Sequence, residues 1–129
     1  MSEREILFRG KRKDNGEWIE GGFVPSLNGK RFYIGNMFEC VEIIPETRSE
    51  YTGLTDKNGT RIFEGDIVKQ EFSKFRQSTN GICEFHDGSF GLKIKDLGIE
   101  KFLPFACICN VTYKVIGNIY DNPELLKGE

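Results

Sequence analysis

Few side chains in this sequence can do soft or nucleophilic chemistry, and their spacing decides most of what they can do. Cys83-x-x-His86 and Cys107-x-Cys109 supply four ligands, the number and kind that a structural zinc takes. Asp87-Gly88 follows His86 at once, and Asp-Gly between alternating apolar residues signals a two-residue hairpin. Such a turn sets His86 opposite Ser89, Phe85 opposite Phe90, Glu84 opposite Gly91 and Cys83 opposite Leu92. Paired residues share a face, so Cys83 joins Phe85, Phe90 and Leu92 on an apolar side while His86 joins Glu84 and Ser89 on a polar one. Residues three apart on a strand cannot both reach one ion, so the expectation is buried cysteine, no metal and no cofactor. Cys107 and Cys109 share a strand face within Phe105-Ala106-Cys107-Ile108-Cys109, the arrangement of a vicinal redox pair. Apolar surroundings raise a thiol's pKa and leave it unreactive, so these too are expected in a core.

Catalysis through a nucleophile needs a base, and His86 is the one histidine in the chain. It falls at a hairpin tip, beside Glu84 and Asp87, where an exposed imidazole is common. No Gly-x-Ser-x-Gly, phosphate loop or paired-histidine motif occurs. The carboxylate pairs Glu64 with Asp66 and Glu42 with Glu46 suit a solvated rim. No catalytic residue is therefore expected.

Nucleic-acid binding has more local material. Arg9, Lys11, Arg12 and Lys13 form a basic run broken only by Gly10, and Lys30-Arg31 precede Phe32 and Tyr33, which suggests a positive groove with stacking aromatics. Against this, the run falls where the first hairpin turn is expected, where Lys and Arg usually face solvent. The net charge of -2 and pI of about 5.6 supply no overall field to draw in a polyanion.

The elements that must hold these residues are β-strands. The chain of 129 residues has 15 Gly, 11 Phe and 13 Ile but only one Ala, Ala106, which excludes an all-helical protein. Asp14-Asn15-Gly16, Asn28-Gly29, Lys57-Asn58-Gly59, Asn80-Gly81 and Asp87-Gly88 punctuate the sequence, and the runs between them predict about eight to ten short strands. Only Asn122-Pro123-Glu124-Leu125-Leu126-Lys127 reads as helical, with Asn122 as cap and Pro123 at the first position.

Two blocks recur in the same order. At an offset of 43, Phe8, Gly10, Asn15, Gly16, Ile19, Gly22 and Val24 fall on Tyr51, Gly53, Asn58, Gly59, Ile62, Gly65 and Ile67. At an offset of 82, the segment from Tyr33 to Glu39 falls on Val115 to Asp121, sharing Ile-Gly-Asn. The positions matching Arg9 to Lys13 are Thr52 to Asp56, which lack the positive charge. Two copies of one β module follow, residues 1–48 and 49–129, the second carrying an insertion at about 69–107 that is rich in Phe.

Phe8-Arg9-Gly10-Lys11, Gly16-Glu17-Trp18-Ile19-Glu20-Gly21, Tyr51-Thr52-Gly53-Leu54-Thr55-Asp56-Lys57-Asn58-Gly59, Ile62-Phe63-Glu64-Gly65-Asp66-Ile67-Val68 and Ile116-Gly117-Asn118-Ile119-Tyr120 together resemble the YopX family of phage and prophage proteins. The resemblance implies a pair of SH3-like β domains in a phage-related protein and supplies no activity or site residues.

The expected architecture is thus mainly β: two related SH3-like β-barrel modules, the second with a large insertion, and a short C-terminal helix. The expected function is association, through a homo-oligomer or a phage or host protein. The alternative is nucleic-acid binding by Arg9, Lys11, Arg12, Lys13, Lys30, Arg31, Phe32 and Tyr33. A zinc-dependent or thiol enzyme stands third. The sequence has no run of 18 apolar residues and no apolar leader after Met1, so the expected setting is the cytoplasm of a host cell, away from membranes.

Overall fold

Glycine-rich turns divide the chain into eleven strands among the described residues, more than the turn signals alone suggest. The computed structural model describes residues 5–35, 39–72, 77–96, 98–105 and 111–126. The strands are β1 (Phe8–Lys11), β2 (Trp18–Pro25), β3 (Phe32–Gly35), β4 (Cys40–Ile43), β5 (Ser49–Thr55), β6 (Arg61–Phe63), β7 (Asp66–Phe72), β8 (Gln77–His86), β9 (Ser89–Asp96), β10 (Ile99–Pro104) and β11 (Val111–Asn118). A turn at Glu64-Gly65 separates β6 from β7.

The strands form two antiparallel sheets, ordered β4-β3-β2-β1-β5-β6 and β10-β9-β8-β7-β11. Neither is a closed barrel, which corrects the expected barrel modules. The nearest approach to closure is at the end of β1, where Arg12 bridges Ile43, Lys13 N donates to Glu42 O at 3.0 Å and Ile44 N donates to Lys11 O at 2.9 Å. One bridge is too short to make a continuous ladder. The expected C-terminal helix is a single 3-10 turn, Pro123–Leu126. Asn122 does not cap it through its side chain: Oδ1 instead accepts the Asn118 N–H at 3.2 Å, which folds the tail back on the end of β11.

The chain separates into two compact units, Met1–Gly53 and Leu54–Glu129, the cut falling inside β5. In the first, strand alternation sends Phe8, Gly10, Ile19, Phe23, Phe32, Ile34 and Ile43 to one face, with Ile34 and Ile43 fully buried. Gly10 is required there, because a Cβ on it would lie 2.5 Å from Ile43 Cδ1. In the second, Ile62, Val68, Cys83 and Leu92 form the core, flanked by Ile94, Phe105, Tyr113 and Val115. Cys83 is buried as expected, while Cys107 and Cys109 lie outside the described residues. No helix among the described residues is long and apolar enough to cross a membrane.

Candidate functional site

The basic run does not form one groove. Arg9 and Lys11 alternate with Phe8 and Gly10 along β1, so they emerge on the face opposite the core. There they flank Trp18, with the Arg9 guanidinium 4.6 Å and Lys11 Nζ 5.5 Å from the indole centroid. Arg12 and Lys13 lie at the turn that follows. Arg12 Nε and Nη2 donate to Asp14 Oδ1 and Oδ2 at 3.1 and 3.0 Å, and Lys13 Nζ donates to Glu42 Oε2 at 3.3 Å. The bond from Arg12 holds the Asp14 carboxyl below its ordinary range and raises the guanidinium in turn. Arg12 and Lys13 are therefore each matched by a carboxylate, one two residues along the chain and one on β4.

Phe32 and Tyr33 are neighbours on β3 and point to opposite faces. Phe32 stacks on Phe23 with centroids 5.4 Å apart, and Phe23 meets Phe8 at 5.3 Å. Lying over this row is Arg48, a residue outside the sequence-derived set, with its guanidinium 5.3 Å from the Phe23 centroid and 5.1 Å from that of Phe32. Lys30 and Arg31 are exposed in the β2–β3 turn just before Phe32. That turn is ordered by its own bonds: Ser26 N to Arg31 O at 2.9 Å, Arg31 N to Ser26 Oγ at 3.1 Å and Lys30 N to Asn28 Oδ1 at 2.9 Å. The structure thus keeps Lys30, Arg31 and Phe32 in one neighbourhood, moves Arg9, Lys11 and Tyr33 to another face, and adds Arg48. Nothing local signals that addition, because Arg48 reaches Phe23 and Phe32 only when β2, β3 and the 3-10 turn Pro45–Thr47 are assembled.

The hairpin carrying His86 has the register read from Asp87-Gly88: Cys83↔Leu92, Glu84↔Gly91, Phe85↔Phe90 and His86↔Ser89. His86 Nε2 donates to Glu84 Oε1 at 2.7 Å, and Lys93 Nζ donates to Glu84 Oε2 at 3.1 Å. Partial burial works to raise the Glu84 carboxyl, but these two partners overcome it and hold it below its ordinary range. The imidazole packs edge-on against Phe102, centroids 4.8 Å apart, beside a depression of about 270 Å³ lined by His86, Asp87, Lys93, Glu100, Lys101 and Phe102. Both oxygens of the carboxylate are engaged, one by the imidazole and one by Lys93. No group of three or more His, Cys, Asp or Glu suited to a metal ion occurs among the described residues.

The Ile-Gly-Asn block at Ile116, Gly117 and Asn118 is structural. Asn118 Oδ1 accepts the N–H groups of Tyr120 and Asp121 at 3.0 and 2.9 Å, and a Cβ on Gly117 would lie 2.5 Å from Asn122 Oδ1.

A family model described as YopX protein matches residues 7–127. Four chains among the solved structures match. One, protein EF1440 from Enterococcus faecalis, is 24% identical, with 97% of this chain and 100% of that one covered and a TM-score of 0.55. Another, protein yopX from Bacillus subtilis, is 17% identical over 97% and 100% of the two chains, with a TM-score of 0.62. These likenesses extend to the fold. No curated protein matches.

Proposed function

The chain belongs to the YopX family, and we propose that it works by association, as a non-enzymatic module that pairs with a second copy of itself. The carrying observation is the unequal protection of the two ends of the five-stranded sheet. At one end β11 is covered by a turn: Asp56 Oδ2 accepts the Val115 N–H at 2.8 Å and Lys57 N donates to Tyr113 O at 3.0 Å. At the other end, among the described residues, no further strand pairs with β10, which finishes the sheet over six residues and begins with Ile99 at 62% exposure. A strand edge is a template for another chain unless charge or proline blunts it, and on β10 those features are Glu100, Lys101 and Pro104, with Ile99 exposed ahead of them.

The occupant is a second copy because edge pairing between related strands is already this chain's own device. We read the sequence as a duplicated SH3-like module of phage or prophage origin, acting in the cytoplasm of a host cell. Several pairings support duplication. β2 pairs with β3 and β7 with β11, so the same two blocks meet antiparallel twice. β1 pairs with β5 as Phe8↔Glu50, and the 43-residue offset turns that pair into Leu7 and Tyr51, which are joined by a 2.8 Å bond from Tyr51 N to Leu7 O. The copies have diverged: β11 has a bulge between Val115 and Gly117, and Gly53 has φ 88 where Gly10 does not take a positive φ.

Light scattering on the full chain tests the reading. The expected mass is a multiple of 14.8 kDa that Ile99→Lys returns to 14.8 kDa. A wild-type mass of 14.8 kDa at every concentration would overturn association. An oligomer indifferent to Ile99→Lys would overturn the role given to β10.

A further inference from the structure

We propose that Arg48 and Phe32, together with Lys30 and Arg31, form a contact site for single-stranded nucleic acid, with the guanidinium stacking a base and the two turn cations taking flanking phosphates. The inference starts from where the cations go. Arg12, Lys13, Lys57 and Lys93 are each spent on a carboxylate: Asp14, Glu42, Glu71 and Glu84. Arg48, Lys30 and Arg31 make no ion pair among the described residues, and all three are exposed. From Gly21 to Phe38 the sequence contains these last two cations and no Asp or Glu, so the β2–β3 turn is a positive spot on a chain that is negative overall.

The geometry gives that spot a ring-binding character. A guanidinium within about 6 Å of a ring centroid is held by the ring's quadrupole, and Arg48 satisfies this for Phe23 and Phe32 together. With its position set from below and its side-chain N–H donors unspent among the described residues, it offers an outer plane to a second flat π system. Arginine planes and aromatic rings are what proteins present to unstacked bases, and cations beside them follow the phosphates. A duplex hides its base faces and would leave the Arg48 plane unused. The acidic group just before it in sequence, Glu46, is exposed on the preceding 3-10 turn. The site stands on the first unit alone and does not depend on self-association.

Fluorescence anisotropy of labelled oligo-dT and oligo-rU, titrated with the full chain at low salt, tests it. The expected result is saturable binding that weakens as salt rises. Arg48→Ala and Phe32→Leu, each shown folded by circular dichroism, should weaken binding by about fivefold or more, the loss of one stacked base. Arg48→Lys keeps the charge without the plane and should fall between wild type and Arg48→Ala. Lys69→Ala, on a strand of the other unit, should change nothing. Absence of binding at low salt overturns the proposal. So does a duplex of equal length that binds as tightly, or an Arg48→Lys variant indistinguishable from wild type, since either result would mean attraction by charge alone.

Discussion

Asp56 is 8% exposed, and its two carboxylate oxygens accept three backbone N–H bonds, Oδ1 from Asn58 and Thr60 at 2.9 Å each and Oδ2 from Val115 at 2.8 Å. Burial alone would raise its pKa, but the bonds from Val115, Thr60 and Asn58 outweigh burial and hold it below 3.8. The unfolded chain therefore takes up this proton more readily than the folded one. The stabilisation is complete only from about pH 5 upward, above the unfolded carboxyl's range, and is lost as pH falls through the depressed folded value. Asp56→Asn should cost about 1–3 kcal/mol in urea unfolding at neutral pH, because a neutral amide cannot replace both charged acceptors. The gap from wild type should narrow on acidification. Gly10→Ala should cost a further about 1–3 kcal/mol in the same assay, since Ile43 is fully buried and has little room to yield to the new methyl group. The Lys57-Asn58-Gly59 turn is legible in the sequence, and so is Asp56 as a residue suited to start it. The bond from Val115 is not, because the two residues are 59 apart and meet only when β11 returns beside the turn.

At the scale of elements, the β8–β9 hairpin was the most readable part of the molecule, because two residues of turn chemistry fix both register and face. Asp87 has φ 49 and Gly88 φ 83, the pair of left-handed conformations that such a turn demands. Gly88→Ala should destabilise by about 1–2 kcal/mol although nothing lies within 4 Å of the added carbon, because the penalty is in the backbone and not in packing. Urea unfolding would register it, and a neutral result would mean that the turn rearranges. The basic run was read less well. Strand alternation sends Arg9 and Lys11 away from Phe32, while Asp14 two residues on matches Arg12 and Glu42 matches Lys13. Parity along one strand is a local property, whereas the carboxylate that meets Lys13 comes from β4, across the sheet.

For the molecule as a whole, the proposed association and fold stability are linked by mass action. If β10 pairs between copies, the folded assembly is favoured at higher concentration, so the Tm of the wild type should rise with protein concentration while that of Ile99→Lys should not. Differential scanning fluorimetry over a dilution series reads this directly. A wild-type Tm that stays flat across the series would separate folding from assembly. The nearly balanced composition, 18 Lys and Arg against 20 Asp and Glu, fits a surface that does not repel its own copies strongly.

By itself the sequence determined the β class, the turns, the hairpin register at Asp87-Gly88, the burial of Cys83 and membership of the YopX family. All but the last, which rests on blocks spread along nearly the whole chain, depend on residues close together in the sequence, where turn geometry and strand alternation leave few options. The tertiary structure alone decided that the sheets stay open, that the tail makes one 3-10 turn, that Asp56 guards the edge of β11 and that Arg48 lies over Phe23 and Phe32. Those outcomes depend on how far each sheet curls and which distant strands it brings together, and no short stretch of residues encodes that geometry.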